Sequence, residues 1–380
     1  MEKFIVLIFP LFSILMCVEF AYGWFRQRNT YRLNDALSSL SQGLISQLVA
    51  LVTQLFQIGL YALVFDYVAL FPHAPLWETW YGWIIAVVMF DFCDYWLHRF
   101  GHECAVMWAA HMVHHQSQDF NFSTALRQES TVAFIGWIFY LPMAVAGVPP
   151  EQFAVAGLIV LLYQFWIHTE HIGKLGWFDR VFSSPSNHRV HHAVNDQYLD
   201  KNYGGMLVIW DRLFGTFAEE NEACVYGTRS ALRSWDPVWA ICAEYWTLWN
   251  VARQTERWPD KLRVWFKPPG WRPADFLARF PGSQDFDLDE ARRLYNPPLT
   301  RTAAYIAVAQ FVLAVLASAA YLWFADDFSY GRSLLLTGMV ISGFWALGAY
   351  MQGRLSLLQM GLIDLLGLGC AGWLLWPGLH

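Results

Sequence analysis

The chain alternates between long apolar runs and shorter stretches where polar residues gather. Apolar runs extend from Phe4 to Phe25, Leu44 to Leu70, Thr79 to Leu97, Thr131 to Val148, Pro149 to Ile167, Ala303 to Phe324, Ser333 to Tyr350 and Leu355 to Trp376. They lack the two-residue alternation of a half-buried strand, and most approach the roughly 20 residues that a helix needs to cross a bilayer. The pattern predicts an all-α, polytopic membrane helical bundle with at most eight spans. The first run carries one acid, Glu19, and has no small-residue cleavage site, so a retained helix is expected rather than a signal peptide. Around Pro149-Pro150 two short runs meet at a tight turn, which leaves either a re-entrant hairpin or two full crossings.

After His168 the sequence becomes charged, Trp-rich and Pro-rich up to Arg301. The expected organisation is N-terminal membrane helices over 1–90, a histidine-rich catalytic domain over 91–217, a cap or linker over 218–301 and C-terminal membrane helices over 302–380. Trp235, Trp239, Trp246 and Trp249 in the cap suit a surface lying at the lipid headgroups, and they suit a small soluble core equally well. Gly367-Leu-Gly-Cys-Ala-Gly372 spells GxGxxG inside an apolar run with no strand before it. Close helix packing is expected there, not nucleotide binding.

Composition agrees with the pattern: 56% of residues are hydrophobic and 15% charged, where a soluble globule carries about 25% charged. The net charge of −6 offers no basic footprint, which excludes nucleic acid as a partner. In the short loops Arg26, Arg28, Arg32, Arg99, Arg127 and Arg354 fall on one side of the eight alternating spans, against Lys3 and Arg332 on the other. The histidine-rich segments, read as a metal-site cap, are therefore expected to face the cytoplasm, from the endoplasmic reticulum in a eukaryote or the inner membrane in a bacterium. The six cysteines form no CxxC pair and are expected to be free thiols.

Ten of the twelve histidines lie between His98 and His192, leaving His73 and His380 as ordinary surface residues on the opposite side. The first cluster places His98 and His102 on one helical stripe behind Asp91 and Asp94. Acids a turn or two behind imidazoles suit a metal site, because a ligating histidine usually donates its second ring proton to a carboxylate. The next two clusters share one spacing, HxxHH: His111, His114 and His115, then His188, His191 and His192. Steps of three and four put each trio on one helical face, where the rings are expected to converge on one point. Ser184 and Pro185 supply a helix start for the third cluster. His168 ends an apolar run as His98 does and joins the ligand set, whereas His171, one turn on, suits a hydrogen bond. Nine histidines exceed what one tetrahedral zinc needs, so two metals are expected, and imidazole alone does not choose among iron, zinc and copper. HExxH is absent, which removes the common zinc-protease reading. Asp94 has the best geometry among the supporting acids Asp91, Asp94, Glu103, Glu129, Glu170 and Asp196, while Glu103 points about 100° from the His98/His102 stripe. Arg99, Arg127 and Arg189 stand beside the clusters as candidates for holding a lipid headgroup or as ordinary cytoplasmic-side arginines.

HxxxH, HxxHH and HxxHH set between membrane runs resemble the fatty acid hydroxylase and sterol desaturase superfamily, whose members are membrane di-iron enzymes. Within it, Trp108-Ala-Ala-His111, Ser123-Thr-Ala-Leu-Arg127-Gln, Tyr163-Gln-Phe-Trp-Ile-His168-Thr-Glu170, Pro185-Ser-Asn-His188, Asp200-Lys-Asn-Tyr-Gly-Gly205 and Trp210-Asp-Arg-Leu-Phe-Gly-Thr-Phe217 are similar to the alkylglycerol monooxygenase branch. The resemblance implies two iron ions held by His98, His102, His111, His114, His115, His168, His188, His191 and His192. It also implies Glu103 as a catalytic acid beside Asp94, a membrane ether lipid as substrate, O2 as oxidant and tetrahydrobiopterin as reductant. No residue here marks a pterin site, so that cofactor rests on the resemblance alone. No His-Pro-Gly-Gly haem signature occurs, so the electron donor is expected to be external. Apolar runs are expected to line the path of the lipid chain. Two other readings are an acyl or sterol hydroxylase or desaturase fed by an electron-transfer chain, and a non-catalytic metal or haem carrier.

Overall fold

The computed structural model describes residues 2–282 and 286–374; the end of the last apolar run at Trp376, and His380, lie outside them. Its longer helices are α1 (Glu2–Phe25), α2 (Leu33–Val52), α3 (Leu60–Val68), α4 (Trp80–Glu103), α5 (Ala105–His115), α6 (Pro150–Trp166), α7 (Pro185–His192), α8 (Pro237–Gln254), α9 (Trp258–Phe266), α10 (Arg301–Trp323), α11 (Tyr330–Met351) and α12 (Leu357–Leu374). No strand occurs among the described residues, only single bridges between Phe182 and Leu207 and between Ala193 and Tyr226. The molecule is all-α.

Four helices are long and apolar enough to cross a membrane: Val6–Phe25 within α1, and α10, α11 and α12. The other four runs depart from single crossings for identifiable reasons. Leu44–Leu70 is split by a π-helical turn at Leu55–Gly59. Its first half belongs to α2, whose inner face buries Asn34, Asp35, Ser38, Ser39, Gln42 and Ser46. α4 has the length, but Asp91, Asp94 and His98 make its lower half polar. Thr131–Val148 breaks into Ala133–Gly136, a 3-10 turn at Trp137–Tyr140 and Leu141–Ala146. At about 1.5 Å per residue this arm falls short of a hydrocarbon core of about 30 Å. It ends at Gly147, with φ +92°, where an added Cβ would stand 2.5 Å from the Phe71 carbonyl carbon. The chain then turns at Pro149-Pro150 and continues into α6.

Two apolar clusters hold the membrane part together. In one, Leu44, Ile45 and Leu48 of α2 pack with Ala307 and Phe311 of α10 and Phe344 and Leu347 of α11. In the other, Tyr61, Cys93, Met143 and Val148 join α3, α4 and the broken arm. The glycines of the GxGxxG in α12 meet nothing within 4 Å of an added Cβ. Among the described residues these glycines therefore make no close helix contact, because α12 turns that face outward.

Of the four cap tryptophans singled out above, Trp235 is buried in the cluster of α2, α10 and α11, and Trp239, Trp246 and Trp249 are exposed. Leu248, Val251, Ala252 and Val264 of α8 and α9 close a small core over Ala105 and Ala109 of α5. On the opposite face Trp246, Trp249, Trp258, Leu262 and Phe266 are exposed. The cap also sets where α5 begins, since the Ala105 N–H donates to the Lys267 carbonyl at 3.0 Å. All six cysteines are free.

Candidate metal centre

α4, α5 and α7 and the end of α6 bring nine histidines together. The ring nitrogens fall into two groups, each within 4.8 Å of one another: His98, His102, His111, His115 and His191, and His114, His168, His188 and His192. The HxxHH trios do not converge on single points. On a helix, position i+4 lies about 40° to one side of i and position i+3 about 60° to the other. His111 and His115 therefore enter the first group while His114 enters the second. α7 does the reverse, sending His188 and His192 to the second group and His191 to the first. Identical spacings on two facing helices thus interlock the groups. The His115 and His192 rings stack between them at 4.3 Å.

Local structure fixes the rings. The Ser184 hydroxyl accepts the Asn187 N–H at 3.4 Å and Pro185 fills the first turn, which starts α7 as expected. His98 Nδ1 donates to the Tyr203 carbonyl at 2.7 Å, His114 Nδ1 to the Arg127 carbonyl at 2.8 Å, and His168 Nδ1 to the Gln164 carbonyl at 2.7 Å. His191 Nδ1 donates to the Lys201 carbonyl at 3.1 Å, and His111 Nδ1 meets the Glu129 carboxylate. A carbonyl can only accept, so each of these neutral rings carries its proton on Nδ1 and leaves Nε2 as a bare lone pair.

Those lone pairs point at each other. Nε2 of His168 lies 3.2 Å from that of His114, both rings having Nδ1 committed to a carbonyl, and Nε2 of His98 lies 3.1 Å from that of His111, whose Nδ1 meets Glu129. Facing lone pairs repel unless a cation stands between them. Nitrogens bound at right angles to one ion at about 2.1 Å would be separated by about 3 Å, which fits this packing. The buried Nε2 of His102 has no protein partner, the state of a donor atom shaped for a metal. Burial pushes His98 and His111 down to about 3 and His114 to about 4, so the rings stay neutral and ready to ligate. The donor set fits two metal ions, one in each group.

The acids take other places than the helical stripe suggested. Asp94 accepts from Tyr140 Oη at 2.9 Å and Gln164 Nε2 at 3.4 Å. Asp91 accepts from the Met206 and Leu207 N–H groups and from Trp210 Nε1, which anchors the loop after α7. Glu103 turns to Arg99 at 2.9 Å, away from both groups. Glu170 pairs with Arg28, and Asp196 with Arg229. Glu129, beside His111, and Asp200, 3.8 Å from His102 Nδ1, are the carboxylates nearest the histidines. His171 lies outside both groups, packed edge-on against Tyr22.

The three arginines are tied internally. Arg127 donates to Val113 O, Ser38 Oγ and Gln116 Oε1, while Arg189 binds Glu220 and the Thr169 and Ile172 carbonyls. With Arg99 on Glu103, all three guanidinium groups are turned to protein acceptors.

Two supporting residues escaped sequence reasoning. Asp211 accepts from the Tyr203 and Gly204 N–H groups at 2.7 and 2.8 Å and so positions the carbonyl that orients His98. Glu19 of α1 accepts from Thr169 Oγ1, Tyr31 Oη and the Phe122 N–H. Thr169 follows His168, and Phe122 is two residues past Phe120, whose ring stacks on His168 at 5.5 Å. An acid alone in an apolar run is the signal that could have flagged Glu19, since such a residue needs a buried partner.

A helical membrane protein with paired histidine groups is the class that the fold and site define. Residues 83–216 match the family model of fatty acid hydroxylase, so the chain carries a domain of that family. It is 41% identical to human alkylglycerol monooxygenase over 265 residues, 70% of this chain and 59% of the human protein. More distant similarity reaches ornithine lipid hydroxylase OlsE of Rhizobium tropici, 29% identical over 39% of this chain and 46% of that protein. It also reaches Delta(7)-sterol 5(6)-desaturase erg3B of Aspergillus fumigatus, 28% identical over 46% and 50%. The chain thus spans about three fifths of the length of the alkylglycerol monooxygenase. No solved structure matches it.

Proposed function

We propose that this chain is a membrane monooxygenase that hydroxylates a lipid alkyl chain with O2 and cleaves the ether bond of alkylglycerols. The observation that carries the reading is the pair of interlocked histidine groups, five and four strong, with bare Nε2 atoms facing inward. His98, His102, His111, His115 and His191 would hold one iron ion, and His114, His168, His188 and His192 a second. Bound iron supplies the activation of O2 that an unreactive C–H bond requires and that side chains cannot provide. The protein does the rest. Backbone carbonyls hold His98, His114, His168 and His191 with the proton on Nδ1, Glu129 lies against Nδ1 of His111, and burial excludes water from the reacting atoms.

Hydroxylation at the ether-bearing carbon gives a hemiacetal, which collapses to a fatty aldehyde and glycerol. The balance requires two electrons and two protons, with one oxygen atom entering the lipid and the other leaving as water. Tetrahydrobiopterin is the proposed donor, by similarity to the alkylglycerol monooxygenases. The histidine groups are proposed to face the cytoplasm, where a water-soluble reductant meets a substrate delivered from the bilayer.

Turnover of a labelled alkylglycerol, with and without tetrahydrobiopterin, tests the reading. Fatty aldehyde formed only with the pterin and O2 is the expected result. Pterin-independent oxidation of a sterol or acyl lipid would replace the ether-lipid assignment. A haem Soret band from the purified protein, without two bound irons, would overturn the oxygenase reading altogether.

A further inference from the structure

The proposed chemistry leaves the outer face of the cap without a role. Along α8 the exposed residues are Trp239, Cys242, Trp246, Trp249 and Arg253, in steps of three and four, so they form one stripe down the helix. Buried Ala240, Glu244, Leu248 and Val251 occupy the other side, where Leu248 and Val251 pack on α5. α9 closes the same core with Val264 and turns outward Trp258, Leu262 and Phe266, which are 77%, 64% and 68% exposed. A surface that meets only water seldom gathers so many large apolar side chains.

Contacts along α8 set its depth. At its start the Asp236 carboxylate accepts from Arg354 Nη2 at 2.6 Å, and Arg354 stands between the end of α11 and the start of α12. Gly348, in the last turn of α11, comes so close that an added Cβ would stand 2.3 Å from the Trp235 carbonyl oxygen. Eight residues after Pro237, Tyr245 Oη meets Thr131 Oγ1 at 2.8 Å, just where the broken arm begins. The arm leads from there to Gly147 beside Phe71, in the loop before α4, whereas the cap meets the other end of α4 through Lys267 and Ala105. α8 therefore runs along the level at which the membrane helices end, over about 12 Å between its two anchors.

The same segment is basic. Residues 253–267 hold Arg253, Arg257, Lys261, Arg263 and Lys267 against Glu256 and Asp260, in a chain whose net charge is −6. Asp260 is engaged by Arg257 and Arg263, and the Lys261 ammonium lies 5.4 Å above the Trp258 ring. Aromatic rings rimmed by cations suit the boundary between headgroups and acyl chains, where rings tolerate a half-polar setting and cations meet phosphate.

We propose that α8 and α9 form a membrane-docking face that lies flat in the headgroup layer of an anionic phospholipid leaflet. Trp239, Trp246, Trp249, Trp258, Leu262 and Phe266 enter the edge of the acyl region, and Arg253, Lys261 and Lys267 meet lipid phosphates. The buried face of these helices covers α5, so one two-helix layer separates the leaflet from the helix that carries His111, His114 and His115. This docking stands whether or not the metal centre oxidises lipid.

The test uses the purified full chain with Leu262 replaced by the photo-crosslinking residue benzoylphenylalanine. The protein is reconstituted in nanodiscs of phosphatidylcholine mixed with phosphatidylglycerol and irradiated, and adducts are read by mass spectrometry alongside iron content. Phospholipid adducts are expected, with phosphatidylglycerol enriched about 3–10-fold over its share of the nanodisc, the scale set by a few cations near an anionic surface. Arg253→Gln combined with Lys261→Gln and Lys267→Gln should return phosphatidylglycerol to its bulk share while the adducts persist and iron content stays at the wild-type level. Absence of lipid adducts overturns the docking, and so do adducts to a second copy of the chain in their place. Phosphatidylglycerol captured at its bulk share by the chain with those three cations intact, or an enrichment that the three substitutions leave unchanged, overturns the anionic assignment.

Discussion

The two histidine groups hold similar rings by different means. Four of the five histidines in the larger group come from α4 and α5, which are joined by a single residue, Cys104. Helix geometry alone brings these rings close. The smaller group takes one histidine from α5, one from the end of α6 and two from α7. No helix pair dominates it, and its walls depend on ties to distant chain: Glu19 to Thr169 and Phe122, and Arg189 to Glu220. The first group is built mainly on the joined helices α4 and α5, with His98 tied to the distant Tyr203 carbonyl, whereas the second is gathered from three separate parts of the chain. The second should therefore be the one that remote substitutions can loosen.

The sharpest break comes at the ligands. His191→Ala and His168→Ala should each lower bound iron from about two per chain to about one, and abolish lipid oxidation; iron analysis with an activity assay checks both. Full activity in either variant would contradict the assignment. Next in size, Glu19→Ala should lower metal affinity of the four-histidine group by about 10–100-fold, the usual scale for losing a supporting partner, while the five-histidine group keeps its ion. Glu19→Asp should restore part of it, and cobalt titration read by absorbance separates the groups. Glu129→Gln should do the converse, weakening the group that contains His111 by a similar factor. Glu220→Gln removes the charge that Arg189 binds and should destabilise the fold by about 1–3 kcal/mol, read as a lower melting temperature in detergent. The smallest effect is expected on the far side of the cap, where Trp246→Ser and Trp249→Ser should leave iron content unchanged, because both rings are exposed and remote from the histidines.

Much of this was legible in the chain itself. Apolar runs announced helices, the histidine clusters announced a candidate metal site, and Ser184 with Pro185 announced the start of α7. Each of these signals is local, lying within one or two helical turns. The failures share the opposite character. The helical stripe offered Asp94 as the carboxylate behind the histidines, but carbonyls from Tyr203, Gln164, Arg127 and Lys201 and the carboxylate of Glu129 take that role. A carbonyl belongs to every residue, so no spacing reveals which one will accept. Counting apolar residues likewise gave only an upper limit of eight, since the run Leu44–Leu70 is divided between the end of α2, the π-helical turn at Leu55–Gly59 and α3.

The sequence by itself determined the helical membrane class and the nine clustered histidines, because periodicity and residue chemistry are properties of short segments. Tertiary structure alone decided how the HxxHH trios divide between two groups and why Glu19 sits in an apolar helix. Those outcomes depend on which backbone and which ring arrive from far along the chain, and only packing brings them there.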